Sequence, residues 1–500
     1  MKKLITIAST LILCLSMLPM GGTRVTEAEA FTTEPMIAAG PGHTVALKSD
    51  GTVLTWGLNT YGQLGGGTEL VHTMPLQVET LSGVSAIAAG SNRSFALKSD
   101  GTVWAWGSNW SGALGDGTEI NRSTPVQVQN LSGITTIAGS DGHNIALMAD
   151  GTVWSWGFNR DGQLGDGTNA NRSIPAQVQN LSGVMGVAAG SEHSVVLKTD
   201  GTVWTWGNNW GGQLGDGTEN SSSTPVQVQN LSGVAAIAAG DYHTIALKTD
   251  GTVWAWGYND CGQLGDGTEA VRSTPVQVQN LNGVRAIAVC VRQNLALKTD
   301  GTVWGWGRDW GEQLGNGPEN NSGTPVQVQN LSGVAAVSAG GNHSIALKTD
   351  GTVWAWGNNF AGQFGDGTDP VPLSTGTVVA GNEGRGTALQ LAGTVLVRSR
   401  IYNGSLEERA IANRFIAVQV LNIDGVRYLN LYAELVRGDA NCDGKITAAD
   451  AAAILRHIVK LETLSDQGLI NAKVTSGTGD VTAADAAKIL RYIVRLENTL

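Results

Sequence analysis

The residues most clearly spaced for chemistry lie near the C-terminus, in the segment GDANCDGKITAAD at 438–450. Oxygen-bearing residues recur there at positions 1, 3, 5, 7, 9 and 12 of a calcium loop. They are Asp439, Asn441, Asp443, Lys445 through its carbonyl, Thr447 and Asp450. Gly444 stands at the sixth position, where such loops turn sharply, so this spacing predicts a bound calcium ion. A helix start with Thr447 and Asp450 as a capping box is the alternative and is compatible with calcium.

A second segment, KVTSGTGDVTAAD at 473–485, repeats this pattern incompletely. It offers oxygen ligands at Thr478, Asp480 and Asp485, but it lacks acids at the early positions and contains an extra residue. Because fewer charged ligands weaken a calcium site, we expect weak binding here or none.

Two amphipathic helices are predicted after these loops. AADAAAILRHIVKLE at 448–462 recurs as AADAAKILRYIVRLE at 483–497, with isoleucine and leucine at matching helical spacings. The duplicated unit at 438–500 resembles the type I dockerin, a small all-α calcium-binding module that docks to a cohesin module of a scaffold or surface protein. The resemblance places the docking surface at Ala448, Ala449, Leu455, Arg456, Lys460, Ala483, Ala484, Leu490, Arg491 and Arg495. Ordinary solvent-facing arginine and lysine are the alternative interpretation.

Histidine also recurs, in a block that reads AAGxxH in most copies. The copies are His43, His143, His193, His243 and His343, and Arg93 and Gln293 take the place in two others. Because an arginine would expel a metal cation, we expect these side chains to brace loops by hydrogen bonds. The aspartate of the GDGT blocks fits turn chemistry. No Ser/His/Asp or paired-carboxylate constellation stands out, so the sequence predicts a non-catalytic protein.

The elements that must position these residues come from near copies of one unit at a step of about fifty residues. Each unit contains four short apolar or alternating runs bounded by turn residues, which predicts a small antiparallel sheet. A single sheet of this kind cannot bury both faces, whereas a radial stack can. Thirteen of the sixteen tryptophans fall at two strand positions per unit, as expected of filler between sheets. The sequence therefore predicts a mainly β fold, a seven-bladed β-propeller.

The blocks ALKTDGTVWAWG, GQLGDGT and AAGxxH carry a family resemblance. They resemble the repeats named after the regulator of chromosome condensation, over about residues 31–380. That family includes eukaryotic exchange factors for a small GTPase and secreted bacterial proteins, among them inhibitors of β-lactamases. The resemblance implies the propeller fold, but fold alone does not imply function.

Two positions in the long loop carry different residue types in different units. In an antiparallel four-stranded sheet, this loop and the AAGxxH loop emerge on the same face of the propeller, while the Asp-Gly hairpins emerge on the other. Loop aromatics mixed with arginine and aspartate are typical of a surface that binds protein or sugar, and neutral drift is the alternative. The predicted binding residues are Trp110, Phe158, Arg160, Trp210, Tyr258, Asp260, Arg308, Trp310 and Phe360.

The domain organisation follows from these patterns. Residues 1–30 combine two lysines, an apolar run and Ala28-Glu29-Ala30, as in a secretory signal peptide. The propeller is assigned to 31–380, a β-rich spacer to 381–437, and the calcium module to 438–500. The segment DPVPLSTGTVV at 369–379 departs from the repeat, and we expect it to supply the strand that closes the ring.

Composition excludes some functions. The formal net charge is −11 and no basic cluster is present, which argues against nucleic-acid binding. No run after the signal peptide is long and apolar enough to span a bilayer. The cysteines after it are expected to be unpaired thiols, with a Cys261–Cys290 disulfide as the alternative.

Together these features predict a secreted, extracellular or cell-surface-attached adaptor. Its propeller would bind a polysaccharide or protein target, and its C-terminal module would dock to a cohesin, as in cellulosome-like polysaccharide catabolism. A propeller-type inhibitor of an extracellular enzyme is the first alternative. Glycoside hydrolase activity is the second and would require two converging carboxylates. Exchange-factor activity fits an exported chain least.

Overall fold

The computed structural model describes residues 32–317, 320–367, 388–391, 394–397 and 414–419. These residues form seven antiparallel four-stranded sheets, so the predicted seven-bladed β-propeller is confirmed. The other described elements are a hairpin, Ala388–Leu391 with Thr394–Val397, and a 3-10 turn at Trp110–Gly112. Over the described ranges, no helix has the length and apolar character needed to cross a membrane. The predicted signal peptide and C-terminal calcium module lie outside them.

Each blade uses four strands in chain order from the propeller axis outwards. The inner strands are Met36–Ala39, Val84–Ala89, Ile134–Gly139, Val184–Ala189, Val234–Ala239, Val284–Cys290 and Val334–Ala339. The second strands are His43–Leu47, Arg93–Lys98, His143–Met148, His193–Lys198, His243–Lys248, Gln293–Lys298 and His343–Lys348. The third strands are Val53–Gly57, Val103–Gly107, Val153–Gly157, Val203–Gly207, Val253–Gly257, Val303–Gly307 and Val353–Gly357. The outer strands are His72–Gln77, Arg122–Gln127, Arg172–Gln177, Ser222–Gln227, Arg272–Gln277, Ser322–Gln327 and Arg414–Gln419.

Tight turns between the second and third strands fix the register of each blade. In blade 5, the backbone N–H and the hydroxyl of Thr252 both donate to Asp250 Oδ1, at 2.9 and 2.6 Å. Pairing then proceeds without a slip from Leu247 opposite Val253 to His243 opposite Gly257. The aspartate side chain thus holds the turn, as its type predicts at this position.

The hydrophobic core lies between the blades rather than within one of them. One cluster joins Ile245 and Val253 of blade 5 to Ala296 and Trp306 of blade 6, and equivalent clusters occur at the other six junctions. The second tryptophan of each third strand is fully buried at these junctions: Trp56, Trp106, Trp156, Trp206, Trp256, Trp306 and Trp356. Large aromatic area removed from water at every junction stabilises the ring.

The first tryptophan of the third strand is only half-buried in blades 2 to 7, and the buried Leu54 replaces it in blade 1. It packs against a junction cluster on one side, as Trp304 does, and a lysine of the second strand covers its ring in every one of these blades except blade 3, where Met148 replaces the lysine. Lys298 Nζ lies 5.5 Å from the centroid of Trp304, and Lys248 Nζ lies 5.3 Å from that of Trp254. The predicted packing role holds for both tryptophans, with a cation–π contact added at the first.

The ring closes differently from our expectation. The outer strand of blade 7 is Arg414–Gln419, which pairs with the third strand so that Trp354 lies opposite Gln419 and Gly357 opposite Arg414. The expected segment at 369–379 is outside the described residues. Blade 7 then contacts blade 1 directly, since Trp56 Nε1 donates to the Gln363 carbonyl at 2.8 Å. The propeller therefore draws its last strand from the range that we assigned to a spacer.

Candidate binding face

A ring of buried side chains joins the blades beneath one face of the propeller. His193 at the start of a second strand is fully buried, and its Nε2 lies 2.9 Å from Thr244 Oγ1 of the next blade. The Thr244 hydroxyl donates onwards to the Gln213 carbonyl at 3.1 Å. Because that hydroxyl hydrogen is used, Nε2 must be the donor to Oγ1, which leaves Nδ1 unprotonated. The predicted hydrogen-bonding role of these histidines is confirmed, although the bond braces neighbouring blades rather than a loop.

The same position works with other donors in two blades. Gln293 Nε2 donates to Ser344 Oγ, and the buried guanidinium of Arg93 donates to the carbonyls of Ser140 and Asp141, both at 2.6 Å. We refer to these seven residues, His43, Arg93, His143, His193, His243, Gln293 and His343, as the latch. Among the described residues, no three His, Cys, Asp or Glu side chains are grouped as metal ligands.

The two loops of each blade predicted to share a face are hydrogen-bonded to each other there. The residue after the third strand donates its backbone N–H to the loop before the latch, as Tyr258 does to the Tyr242 carbonyl at 2.8 Å. The next residue, Asn259, is buried and staples the long loop. Its Nδ2 donates to the carbonyls of Thr268 and Ala270, and its Oδ1 accepts from the Leu264 N–H.

The residues flanking this buried asparagine carry the predicted binding side chains. We call their surface, together with the two residues before each latch residue, the variable face. The third loop position is exposed in all seven blades, where it is occupied by Thr60, Trp110, Arg160, Trp210, Asp260, Trp310 and Phe360. The exposed fractions are 59% for Trp110, 48% for Trp210, 63% for Trp310 and 48% for Phe360. Large aromatic rings this open to water are typical of binding surfaces.

The structure brings most of the predicted residues into pairs across or within blades. Trp110 of blade 2 packs on Phe158 of blade 3 with ring centroids 4.8 Å apart. Trp210 of blade 4 packs on Tyr258 of blade 5 at 4.9 Å. Arg308 stacks on Trp310, with its guanidinium carbon 3.9 Å from the ring centroid. Arg160 and Phe360 make no ring contact or ion pair with the rest of the set in the described part of the chain.

Two members of the aromatic cluster escaped sequence analysis. Tyr242 lies between Trp210 and Tyr258, at 5.1 and 6.4 Å from their centroids. Arg292 forms an ion pair with Asp260 and lies 5.2 Å above the Tyr258 ring. Both residues occupy the variable positions directly before the latch, so the same test for non-repeating positions, applied to that loop, would have found them.

An acidic mouth lies beside this cluster, at the axis. Ser191 Oγ is 3.1 Å from an Asp141 oxygen and 2.7 Å from an Asp241 oxygen, and all three residues line a central cavity. Burial, followed by the nearby charge of Asp141, raises the pKa of Asp241. Burial and the charges of Asp161 and Asp141 likewise raise the pKa of Glu192. Nearby arginines, Arg292 and Arg308 for Asp241 and Arg160 for Glu192, act in the opposite direction but do not reverse these shifts.

The remaining predictions on described residues have simple outcomes. The aspartate of the GDGT block stabilises its own turn, as predicted. Asp266 accepts a hydrogen bond from the Thr268 N–H at 3.0 Å and forms an ion pair with Arg272 at 2.8 Å. Cys261 and Cys290 are free thiols, as expected. The proposed calcium ligands, the weak second loop and the docking surface, all between 439 and 495, lie outside the described residues.

The fold and this surface define a β-propeller with one repetitive face and one variable face. Comparison with protein families makes the class specific. A model described as an RCC1-like domain matches residues 23–235, and models of the regulator of chromosome condensation (RCC1) repeat match 234–263 and 334–363 and also 250–294 and 300–347. The propeller is therefore built of RCC1-like repeats. A comparison with curated proteins finds no match.

Solved structures show the same architecture. Prp20p from Saccharomyces cerevisiae, reported with its binding properties to Gsp1p and histones, is 25% identical, with a TM-score of 0.57 over 63% of this chain and 83% of that one. Yeast RCC1 (Prp20) bound to Kap60 is 22% identical, with a TM-score of 0.58 over 73% and 89%. Human WBSCR16 is 23% identical, with a TM-score of 0.56 over 63% and 86%. The last two likenesses concern the fold alone.

Proposed function

We propose that this chain is a non-catalytic binding protein whose variable face recognises another protein. The observation that carries the proposal is the row of exposed aromatic side chains at positions that the scaffold does not dictate. The stapling residue is a buried asparagine in six blades and the buried Asp309 in blade 6, while its neighbours differ between blades. Aromatic and arginine side chains are enriched at the energetic centres of protein interfaces. Protein binding by the similar yeast Prp20p adds support from a relative.

The proposal also covers the localisation of the protein and its attachment to other molecules. The N-terminal pattern at 1–30 supports export, and the 438–450 loop supports a calcium-held dockerin-like module. The chain would then be an adaptor: the module attaches it to a cohesin-bearing scaffold or cell surface, and the propeller holds the target. Inhibition of an extracellular enzyme is a special case of the same binding. Polysaccharide is the other target class, favoured by the stacking area of Trp110, Trp210 and Trp310.

Glycoside hydrolysis is a second candidate function, favoured by one observation. Asp141 and Asp241 both approach Ser191 Oγ at the mouth of the central cavity, and the pKa of Asp241 is raised. A pair of carboxylates with different proton affinities is what glycosidases use. Hydrolysis of soluble polysaccharides by the wild-type chain, abolished by Asp241→Asn, would support this candidate. Absence of any hydrolysis would reject it.

The test of protein binding compares the two ends of the propeller. The mature chain is immobilised and exposed to the extracellular fraction of its source, and each captured protein is purified for direct titration. We expect Trp210→Ser with Trp310→Ser to weaken binding of the true target at least about tenfold. Met185→Ser is the matched control, because Met185 is an exposed apolar residue, 51% accessible, at the opposite end of an inner strand.

Two results would contradict the proposal. One is equal binding by the double tryptophan variant, and the other is a loss with Met185→Ser of the same size. A parallel depletion assay with insoluble polysaccharides separates the target classes. Retention of the chain by a polysaccharide, lost in the tryptophan variant, would move the target from protein to glycan.

A further inference from the structure

At the position directly after the third strand, blade 6 carries a cation and the other blades do not. Arg308 follows its third strand, and Leu58, Ser108, Phe158, Asn208, Tyr258 and Asn358 occupy the equivalent positions. The guanidinium lies flat on Trp310, with its carbon 3.9 Å from the ring centroid. Stacking of this kind fixes the plane of the guanidinium and therefore the directions of its N–H groups.

Those N–H groups have no anionic partner among the described residues. Arg292, the neighbouring arginine, forms an ion pair with Asp260. Arg308 forms no such pair, and its Nε is buried with no hydrogen-bond acceptor. A buried donor without an acceptor costs free energy, so this orientation is maintained without the bond that would compensate it.

The electrostatic surroundings also favour an added anion. Burial lowers the pKa of Arg308, and the charge of Arg292 lowers it further. Cys261, Asp241 and Asp260 act in the opposite direction, and Asp260 is already bound to Arg292. The cationic form of Arg308 therefore lacks a close counter-charge in the free protein.

We propose, building on the proposed function, that Arg308 and Trp310 together form the anchor site for an aspartate or glutamate side chain of the partner protein. The carboxylate accepts two parallel hydrogen bonds from the guanidinium edge, and the adjoining partner chain packs on the exposed part of Trp310, which is 63% accessible. Bidentate pairing of this type is specific to arginine, because lysine has no planar fork.

The experiment uses the full mature chain and defined peptides. Random peptides displayed on phage are selected on the wild-type chain, and those that lose binding to Trp310→Ser are synthesised. Each is made with its acidic residue intact and as the matching amide, and both forms are titrated against wild type, Arg308→Gln and Arg308→Lys. Arg285→Gln is the control, because Arg285 is another exposed arginine of blade 6, at the end of its inner strand that is opposite to the variable face.

We expect the Trp310-dependent peptides to carry aspartate or glutamate. Changing the acid to the amide should weaken binding to wild type about 10- to 100-fold, and Arg308→Gln or Arg308→Lys should abolish that difference. Arg285→Gln should preserve it. An equal acid-to-amide effect on wild type and Arg308→Gln would overturn the inference, as would the absence of acidic, Trp310-dependent peptides.

The outcomes for the two proposals are distinguishable. If the native target loses affinity with Trp210→Ser and Trp310→Ser but not with Arg308→Gln, the variable face is the binding surface and the acidic anchor is wrong. If neither change affects the native target, the proposed function itself is wrong.

Discussion

Acid should destabilise this propeller steeply, because five latch histidines are buried in neutral form. Burial lowers the pKa of His43 and His243 to about 4, and of His143, His193 and His343 to about 3. The hydrogen bonds of these histidines explain why their pKa values are lowered. Nε2 already donates to the next blade, so an added proton must go to Nδ1, which has no acceptor in four of the five.

Proton linkage determines whether the free energy of unfolding rises or falls with pH. Unfolded histidines titrate near 6.5, so between that pH and about 4 the unfolded chain binds protons that the folded chain does not. The contribution is fully present above pH 6.5 and is lost as the pH falls towards 4. Between pH 6 and 5 each latch histidine costs about 1.2 kcal/mol, and the five together about 6 kcal/mol. Unfolded carboxylates remain largely ionised in this interval and add little.

The variant His193→Gln tests this reasoning with a change that the protein already uses. Gln293 occupies the same position in blade 6 and donates to Ser344 Oγ. The free energy of unfolding of the mature chain is measured in urea at pH 6 and pH 5. We expect His193→Gln to reduce the loss between these values by about 1.2 kcal/mol. His72→Gln, which alters a half-buried histidine outside the latch, is the matched control.

The reasoning would be refuted if His193→Gln and His72→Gln had the same effect on the pH dependence. It would also fail if the wild-type chain were equally stable at both pH values. A uniform destabilisation of His193→Gln at pH 6 and 5 would count against the latch titration as well, because a packing defect does not depend on pH.

Two further predictions concern the backbone and the metal. Gly257→Ala should destabilise the chain by more than about 2 kcal/mol in urea unfolding, since its φ is +112° and a Cβ would lie 2.5 Å from the Tyr242 carbonyl oxygen. Gly133→Ala, at φ +67° with open space around it, should cost about 1 kcal/mol, and equal costs would contradict the steric argument. Calorimetric titration of the mature chain should detect calcium binding that Asp443→Ala weakens at least about tenfold while Asp480→Ala does not. Binding unaffected by Asp443→Ala would show that the first loop is not the site.

The blades could be predicted from sequence because each is specified locally. Each unit contains the Asp-Gly turn, the two-residue alternation and, in most copies, the paired tryptophans within a few tens of residues. Nearly the same local pattern recurs in every copy. Asp250 and Thr252, for example, fix a hairpin by contacts two residues apart. Local patterns of this kind need no knowledge of the rest of the chain.

Ring closure could not be predicted in this way. The sequence of Arg414–Gln419 has the alternation of polar and apolar residues that is common to many strands. Nothing in that alternation indicates that its partner is Val353–Gly357. The segment directly after blade 7 was the natural candidate by chain order, since neighbouring strands usually pair. Only the long-range pairing distinguishes the strand at 414–419 from that candidate.

The variable face was predictable in part for a related reason. Non-repeating positions indicated the loop residues, but the pairs that organise them join different blades, as Arg292 joins Asp260 and Tyr242 joins Trp210. A repeat places equivalent residues far apart in sequence, so such contacts follow only from the ring geometry. Sequence thus identified the surface and missed its internal partners.

The latch and the variable face together explain how so repetitive a chain can carry one specific surface. The latch requires only a donor aimed at the next blade, and histidine, glutamine and arginine all meet that requirement. The side chains that join the blades are therefore buried beneath the face, and the stapling asparagines, with Asp309 in blade 6, hold each long loop without using its outer residues. Side chains at positions such as 258, 260, 308 and 310 can therefore differ between blades at little cost to folding. Histidine is not required at the latch, so the steep acid sensitivity is a property of the histidine side chains and not of the propeller fold. The His193→Gln variant separates these two causes, because it keeps the fold and removes one histidine.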